Sequence, residues 1–261
     1  MLLTDPLFAQ IAKGHALNPF VTPFLREGDR PLLRFTLQNK QQTDWTGSAS
    51  LSLQDSTSKQ SVDGWFINSV ANQYFTVDSQ SQEQLLFPIE VPFLYNQSLN
   101  WKLSIDSKED SLVAKGIVPI LPWPYEDSIN TSSAAEPLVT LEKKVNPNSS
   151  IKVGEKLLIE ISFELKKKME TLLVADEWAA GLVPEKGGIQ LSVKLNNYFL
   201  ENKTARSRTI KFTNLSAGKY TLRYYAIATY PGVFNQPPTL LFSNGSSSYI
   251  ARSSFQKITI E

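Results

Sequence analysis

The residues able to do chemistry are few. One histidine, His15, stands in an irregular N-terminal segment, and cysteine is absent. A catalytic triad or an imidazole-built metal site needs more than that, so His15 reads as a surface or packing residue. Without Cys there is no disulfide framework, no thiol nucleophile and no thiolate-bound zinc. No Gly-x-Ser-x-Gly elbow, no phosphate-cradling glycine loop and no metal-spaced cluster of acids occurs. Carboxylates fall side by side at Glu109–Asp110 and Asp176–Glu177. Neighbours on a strand point to opposite faces, so neither pair makes the facing couple of glycoside hydrolysis. The expectation is a non-enzyme with no catalytic residue, no cofactor and no metal.

The totals agree with that. Lys and Arg number 26 against 25 Asp and Glu, a formal net charge of +1, which gives no support to nucleic-acid binding. With 41% apolar residues and 20% charged, the chain of 261 residues has the composition of a globular protein. No stretch approaches the roughly 18 uninterrupted apolar residues of a membrane span. The densest basic run, "LKKKME" at 165–170, reads as a strand end meeting water. The start, "MLLTDPLFAQIAKGHALNPF", lacks a basic region followed by an apolar core and does not read as a signal peptide. Six Asn-x-Ser/Thr sequons, at Asn96, Asn130, Asn148, Asn202, Asn214 and Asn244, are weak signals in an Asn- and Ser-rich chain.

The elements that would position these residues are strands. Helical spacing is confined to "LLTDPLFAQIAKG", where Leu3, Leu7 and Ile11 share a face that Pro6 interrupts. Elsewhere the period is two. Ala49, Leu51 and Leu53 alternate with polar residues, as do Trp101, Leu103 and Ile105, then Ile189, Leu191, Val193 and Leu195. Tyr220, Leu222, Tyr224, Ala226, Ala228 and Tyr230 occupy one face of a single run. Strict alternation puts the apolar set on one side of a sheet and the polar set in water. Short strands between Gly, Pro, Asn and Ser turns predict an all-β chain of two antiparallel β-sandwich domains in tandem, immunoglobulin-like in kind. The aperiodic, Pro- and Ser-rich stretch "LPWPYEDSINTSSAAEP" marks the join. The expected divisions are an irregular segment 1–16, a sandwich 17–121, a linker 122–137 and a second sandwich 138–261.

Three further motifs carry expectations. "REGDRPLLRFTLQ" (26–38) and "KVGEKLLIEISFE" (152–164) each run base, Gly, acid, base and then alternating apolar residues. They read as one turn-into-strand geometry built twice, with the glycine at positive φ and the acid–base pair at a solvated strand entrance. "SQEQ", Ser81 to Gln84, would be a Cys-x-Glu-Gln thioester motif with Cys in place of Ser81. A hydroxyl does not form that internal bond, and the segment leads into a strand. "YPGVFNQPP" (230–238) reads either as a rigid strand-to-strand corner or as a partner-docking ridge made of Phe234, Pro237 and Pro238.

Two runs, "VTPFLREGDRPLLRFTLQN" and "GIVPILP", resemble the macroglobulin-like domain that precedes the thioester region in bacterial alpha-2-macroglobulins. The second half is similar to the C-terminal macroglobulin domain of the same family. The residues that carry this likeness are "VGEKLLIEISF", "VADEWAAGLVP" and "GKYTLRYYAIATYPGVFNQPP". The resemblance implies a protease-trapping scaffold of the cell envelope, periplasmic or extracellular. Its partners would be proteases or the rest of a macroglobulin assembly. A full member of that family places a thioester domain between these two sandwiches, and the interval here is only the linker. No catalytic residue is therefore carried over, and the implied function is a non-enzymatic segment related to endopeptidase inhibition, without its thioester. The alternative is a cell-surface adhesion or carbohydrate-binding module, in which exposed Trp45, Trp65 and Trp123 would stack on sugar rings.

Overall fold

The structure is a computed structural model. It describes residues 10–12, 14–123, 139–146, 150–185, 188–192, 198–204, 206–243 and 249–261. These are all strands, turns and extended connections, with no helix among the described residues. By contacts the chain divides into two compact units, Met1–Trp123 with Tyr230–Gly232, and Pro124–Thr229 with Val233–Glu261.

The first unit contains β1 (Gln10–Ala12), β2 (His15–Phe20), β3 (Leu25–Arg26), β4 (Arg30–Asn39), β5 (Trp45–Asp55), β6 (Asn72–Val77), β7 (Gln82–Pro88), β8 (Ser98–Ser107) and β9 (Ser111–Leu121). One sheet runs β3-β9-β8-β5-β6, and β1-β2-β4-β7 form a facing layer. The alternation read from the sequence is the physical cause. On β5, Ala49, Leu51 and Leu53 are buried while Ser50 and Gln54 are exposed. The layers meet where Phe35 of β4 sets its ring edge-on to Trp101 of β8, centroids 5.4 Å apart. Trp101 in turn lies over Gly116 across the β8–β9 pair, where a Cβ would come within 2.7 Å of the indole.

The second unit contains β10 (Val139–Asn146), β11 (Lys156–Leu165), β12 (Met169–Glu177), β13 (Leu182–Pro184), β14 (Gln190–Leu191), β15 (Tyr198–Lys203), β16 (Ser207–Leu215), β17 (Gly218–Ala228), β18 (Gly232–Gln236), β19 (Leu240–Ser243), β20 (Tyr249–Arg252) and β21 (Gln256–Ile260). One sheet runs β10-β11-β17-β13, with β14 also on β17; the other runs β15-β16-β12-β19-β20. Leu157, Ile159, Ile161 and Phe163 of β11 are all buried, and Phe163 meets Phe212 of β16 across the sandwich at 6.1 Å.

The helical expectation at the N-terminus fails over its described part. Gln10–Ala12 is a strand, paired antiparallel with β2 so that Gln10 faces Leu17 and Ala12 faces His15. Pairing supplies partners for backbone groups that a three-residue helical fragment could not satisfy. Residues 1–9, nearly all of the linker, and Val193 and Leu195 of the third alternating run lie outside the described residues.

The twin turns are built by the same hydrogen bonds. In the first, the Arg26 N–H donates to Asp29 Oδ2 (2.8 Å) and the Asp29 N–H donates to the Arg26 carbonyl (3.0 Å). In the second, the Lys152 N–H donates to Glu155 Oε2 (3.0 Å) and the Glu155 N–H to the Lys152 carbonyl (3.0 Å). The glycines between them sit at φ of 75° (Gly28) and 92° (Gly154), where a side chain is strained. Each turn then docks on a neighbouring segment through a reciprocal pair of bonds. Gly28 N–H reaches Val91 O and Val91 N–H reaches Asp29 O; Gly154 N–H reaches Ala228 O and Ala228 N–H reaches Glu155 O. The acid therefore captures a backbone N–H. The solvated entrance holds for the second copy alone, since Arg26, Glu27 and Asp29 are all buried.

Candidate functional site

The densest set of buried polar groups lies between the two sheets of the second unit. On β10, Val139, Lys143 and Val145 are buried while Thr140, Glu142, Lys144 and Asn146 are exposed, so Lys143 occupies an inward position of a regular strand. On β12 the inward series is Leu172, Val174, Asp176. The two charges meet in the core, with Lys143 Nζ 2.6 Å from Asp176 Oδ1 and both side chains 0% exposed. Lys143 belongs to one sheet and Asp176 to the other, so the pair ties the layers together.

Every hydrogen of the ammonium has an acceptor. Beyond Asp176, Nζ donates to the carbonyls of Glu177 (2.8 Å) and Pro237 (3.2 Å). The carboxylate is equally engaged: Thr239 Oγ1 donates to Oδ1 at 2.7 Å, and the Tyr224 hydroxyl donates to Oδ2 at 2.5 Å. Gln236 closes the network, its Nε2 donating to the same two carbonyls and its Oε1 accepting the Ala179 N–H. The buried Arg208 guanidinium lies 3.9 Å over the Tyr224 ring and 5.4 Å from that of Trp178. Burial pushes the Tyr224 phenol well above its ordinary pKa, and the Asp176 charge and hydrogen bond push it further; Arg208 opposes them.

This arrangement is suited to holding strands, because the ammonium of Lys143, the carboxylate of Asp176 and the amide of Gln236 are spent on one another's partners and on nearby backbone groups. Among the described residues no group of three or more His, Cys, Asp or Glu could hold a metal ion. Sequence reasoning weighed Asp176 only against its neighbour Glu177 and passed over Lys143. The available signal was phase: each charge falls on the beat of the apolar residues of its strand.

The other candidate residues are scattered. His15 is buried and stacks on Trp45, with centroids 4.2 Å apart and planes 9° apart. Its Nδ1 lies 2.7 Å from Asp110 Oδ2 and its Nε2 lies 3.6 Å from Glu109 Oε2. The packing reading of His15 is the one observed. Trp45 is core, Trp123 is half-buried and Trp65 is 69% exposed, so a sugar-stacking surface made of all three does not exist. Ser81 to Gln84 lie exposed at the start of β7. Phe234, Pro237 and Pro238 are all buried, and Phe234 packs where a Cβ on Gly181 would come within 2.5 Å of its ring. A docking ridge needs exposed side chains; these three face inward and Pro237 serves the Lys143 ammonium through its carbonyl.

Residues 134–243 match the family model of the Bacterial Alpha-2-macroglobulin MG10 domain. Lys143, Asp176, Tyr224, Gln236 and Thr239 all fall within this MG10-like segment. No curated protein matches the chain. Among solved structures, the chain is similar to red sea bream transglutaminase at 10% identity and a TM-score of 0.32, covering 96% of this chain and 32% of that one. It is also similar to native alpha-2-macroglobulin from Escherichia coli, in a structure spanning domain MG7 to the C-terminus. That match has 16% identity and a TM-score of 0.38, covering 81% of this chain and 33% of the other. A non-cellulosomal cohesin from Archaeoglobus fulgidus matches at 11% identity and a TM-score of 0.34, over 47% of this chain and 91% of that one. The chain thus spans about a third of the length of the first two.

Proposed function

We propose that this chain is a non-enzymatic scaffold segment of a macroglobulin-type assembly that traps proteases. The MG10 match over residues 134–243 carries the reading. In this reading 17–121 and 138–261 act as two sandwich domains joined by 122–137. Bait and thioester chemistry are supplied by other parts of the polypeptide or by a partner chain, and the assembly works in the periplasm or outside the cell.

The experiment is to tag the chain in the cell that makes it, purify it under native conditions and sequence the associated polypeptide. The reading expects a Cys-x-Glu-Gln thioester segment in the same chain or in a stoichiometric partner. A chain that purifies alone, with neither, refutes it.

A further inference from the structure

Twelve large apolar side chains stand exposed among the described residues, and seven of them fall between Trp65 and Leu94. Four of the seven sit at the tips of two loops of the first unit. The connection between β5 and β6 presents Trp65 (69% exposed) and Ile67 (57%), and that between β7 and β8 presents Phe93 (59%) and Leu94 (80%). The tips lie side by side. Phe66, buried between the first two, sets its ring edge-on to Tyr95 at 5.0 Å, and its carbonyl accepts the Glu90 N–H at 2.8 Å. The chain is uncharged from Gly64 to Val77 and again from Val91 to Trp101, against 20% charged residues overall.

Both tips are held in costly conformations. Ile67 and Leu94 sit at φ of 50° and 62°, a left-handed region that β-branched and bulky residues rarely occupy. In each case the strain turns an apolar side chain out into water, so folding gains little burial in return. The first loop is braced in that shape. Asn68 Nδ2 donates to Leu51 O (3.1 Å) and to Asp63 Oδ1 (2.8 Å), and the Trp65 N–H donates to Val62 O (2.9 Å).

We propose that the two tips insert reversibly into the surface of a lipid bilayer with zwitterionic headgroups. The side chains select hydrocarbon: an indole prefers the headgroup level, and Ile, Phe and Leu the acyl boundary beneath it. Their relief selects it over a protein. Side chains this exposed stand proud of the surface, so a folded partner would need a matching recess, whereas acyl chains close around any shape. A protein interface also rims its apolar centre with polar, hydrogen-bonding residues, and these tips carry no charged rim of their own. The flanking charges cancel, Lys59 against Asp63 and Arg30 against Glu90, the last two paired at 3.0 Å. Anionic headgroups are therefore not required, and the chain lies on the bilayer without spanning it.

Phosphatidylcholine vesicles test this with the full chain. Co-sedimentation should be half complete at about 0.1–1 mM lipid, on the order of the affinity of a single myristoyl chain, and should survive about 0.5 M salt. Of the five tryptophans Trp65 alone is strongly exposed, so its emission should shift to the blue and be quenched by brominated acyl chains. Trp65→Phe should remove that signal and keep the binding. Asn tolerates the left-handed region, so Ile67→Asn and Leu94→Asn should melt at or above wild type while each weakens partitioning about tenfold or more. No co-sedimentation at about 5 mM lipid, binding that both asparagines leave unchanged, a requirement for anionic lipid, or tips that join copies of the chain without lipid would each overturn the proposal.

Discussion

Replacing Lys143 by Met tests the tie between the sheets. Methionine keeps most of the stem and removes the ammonium, leaving Asp176 fully buried with Tyr224 and Thr239 as its hydrogen-bond donors. Breaking one partner of a buried pair costs about 3–5 kcal/mol. The lower end applies here, because the carbonyls of Glu177 and Pro237 keep Gln236 Nε2 as a donor and are not orphaned. For a unit of this size about 3 kcal/mol corresponds to a fall in Tm of roughly 10 °C. Trp178 is buried in the second unit and reports its unfolding in urea by fluorescence. Removing both charges, Lys143→Met with Asp176→Leu, should restore most of the loss, since hydrophobic replacement of a buried pair is often neutral or better. A single variant within about 0.5 kcal/mol of wild type, or a double variant worse than the sum of the singles, would refute the reasoning.

The remaining predictions rest on equally local features. Gly28→Val and Gly154→Val should each destabilise by about 1–3 kcal/mol through backbone strain alone at Gly154, where an added Cβ meets nothing within 4 Å; wild-type melting of either would sink the shared-turn account. Raising pH should weaken the second unit. A phenol whose folded pKa is raised contributes its full stability below pH about 10 and loses it as pH climbs toward the folded value, so Tyr224→Phe should flatten the alkaline limb of a Tm–pH profile. His15→Ala should cost about 1–3 kcal/mol by leaving the Asp110 carboxylate buried without its imidazole, read by urea unfolding at neutral pH; a change inside experimental error would show the contact to be idle.

Much of the fold was legible in the period-two patterning, because burial of one sheet face writes itself directly onto alternate residues. The twin glycine turns were legible for the same local reason: turn, acid and strand lie within a dozen residues. What stayed hidden depends on partners distant in sequence. Lys143 and Asp176 are 33 residues apart, and Tyr224 joins them from β17 and Thr239 from the connection before β19. The inward phase of each charge was readable, but which charge met which was not. His15 looked isolated because its carboxylate is 95 residues away. Phe234, Pro237 and Pro238 read either as a strand-to-strand corner or as a docking ridge, because a Pro-rich run fits both. Phe234 on β18 and the two prolines in the connection to β19 are all buried.

A size-selective proteolysis assay tests the scaffold reading most directly. The native polypeptide or assembly containing this chain is incubated with an endopeptidase, then given a folded protein substrate and a small chromogenic peptide in parallel. Cleavage of the protein should fall sharply while the peptide is still turned over, because a caged protease keeps its active site open to small molecules. Equal loss toward both substrates, or no protection of the large one, would contradict the account.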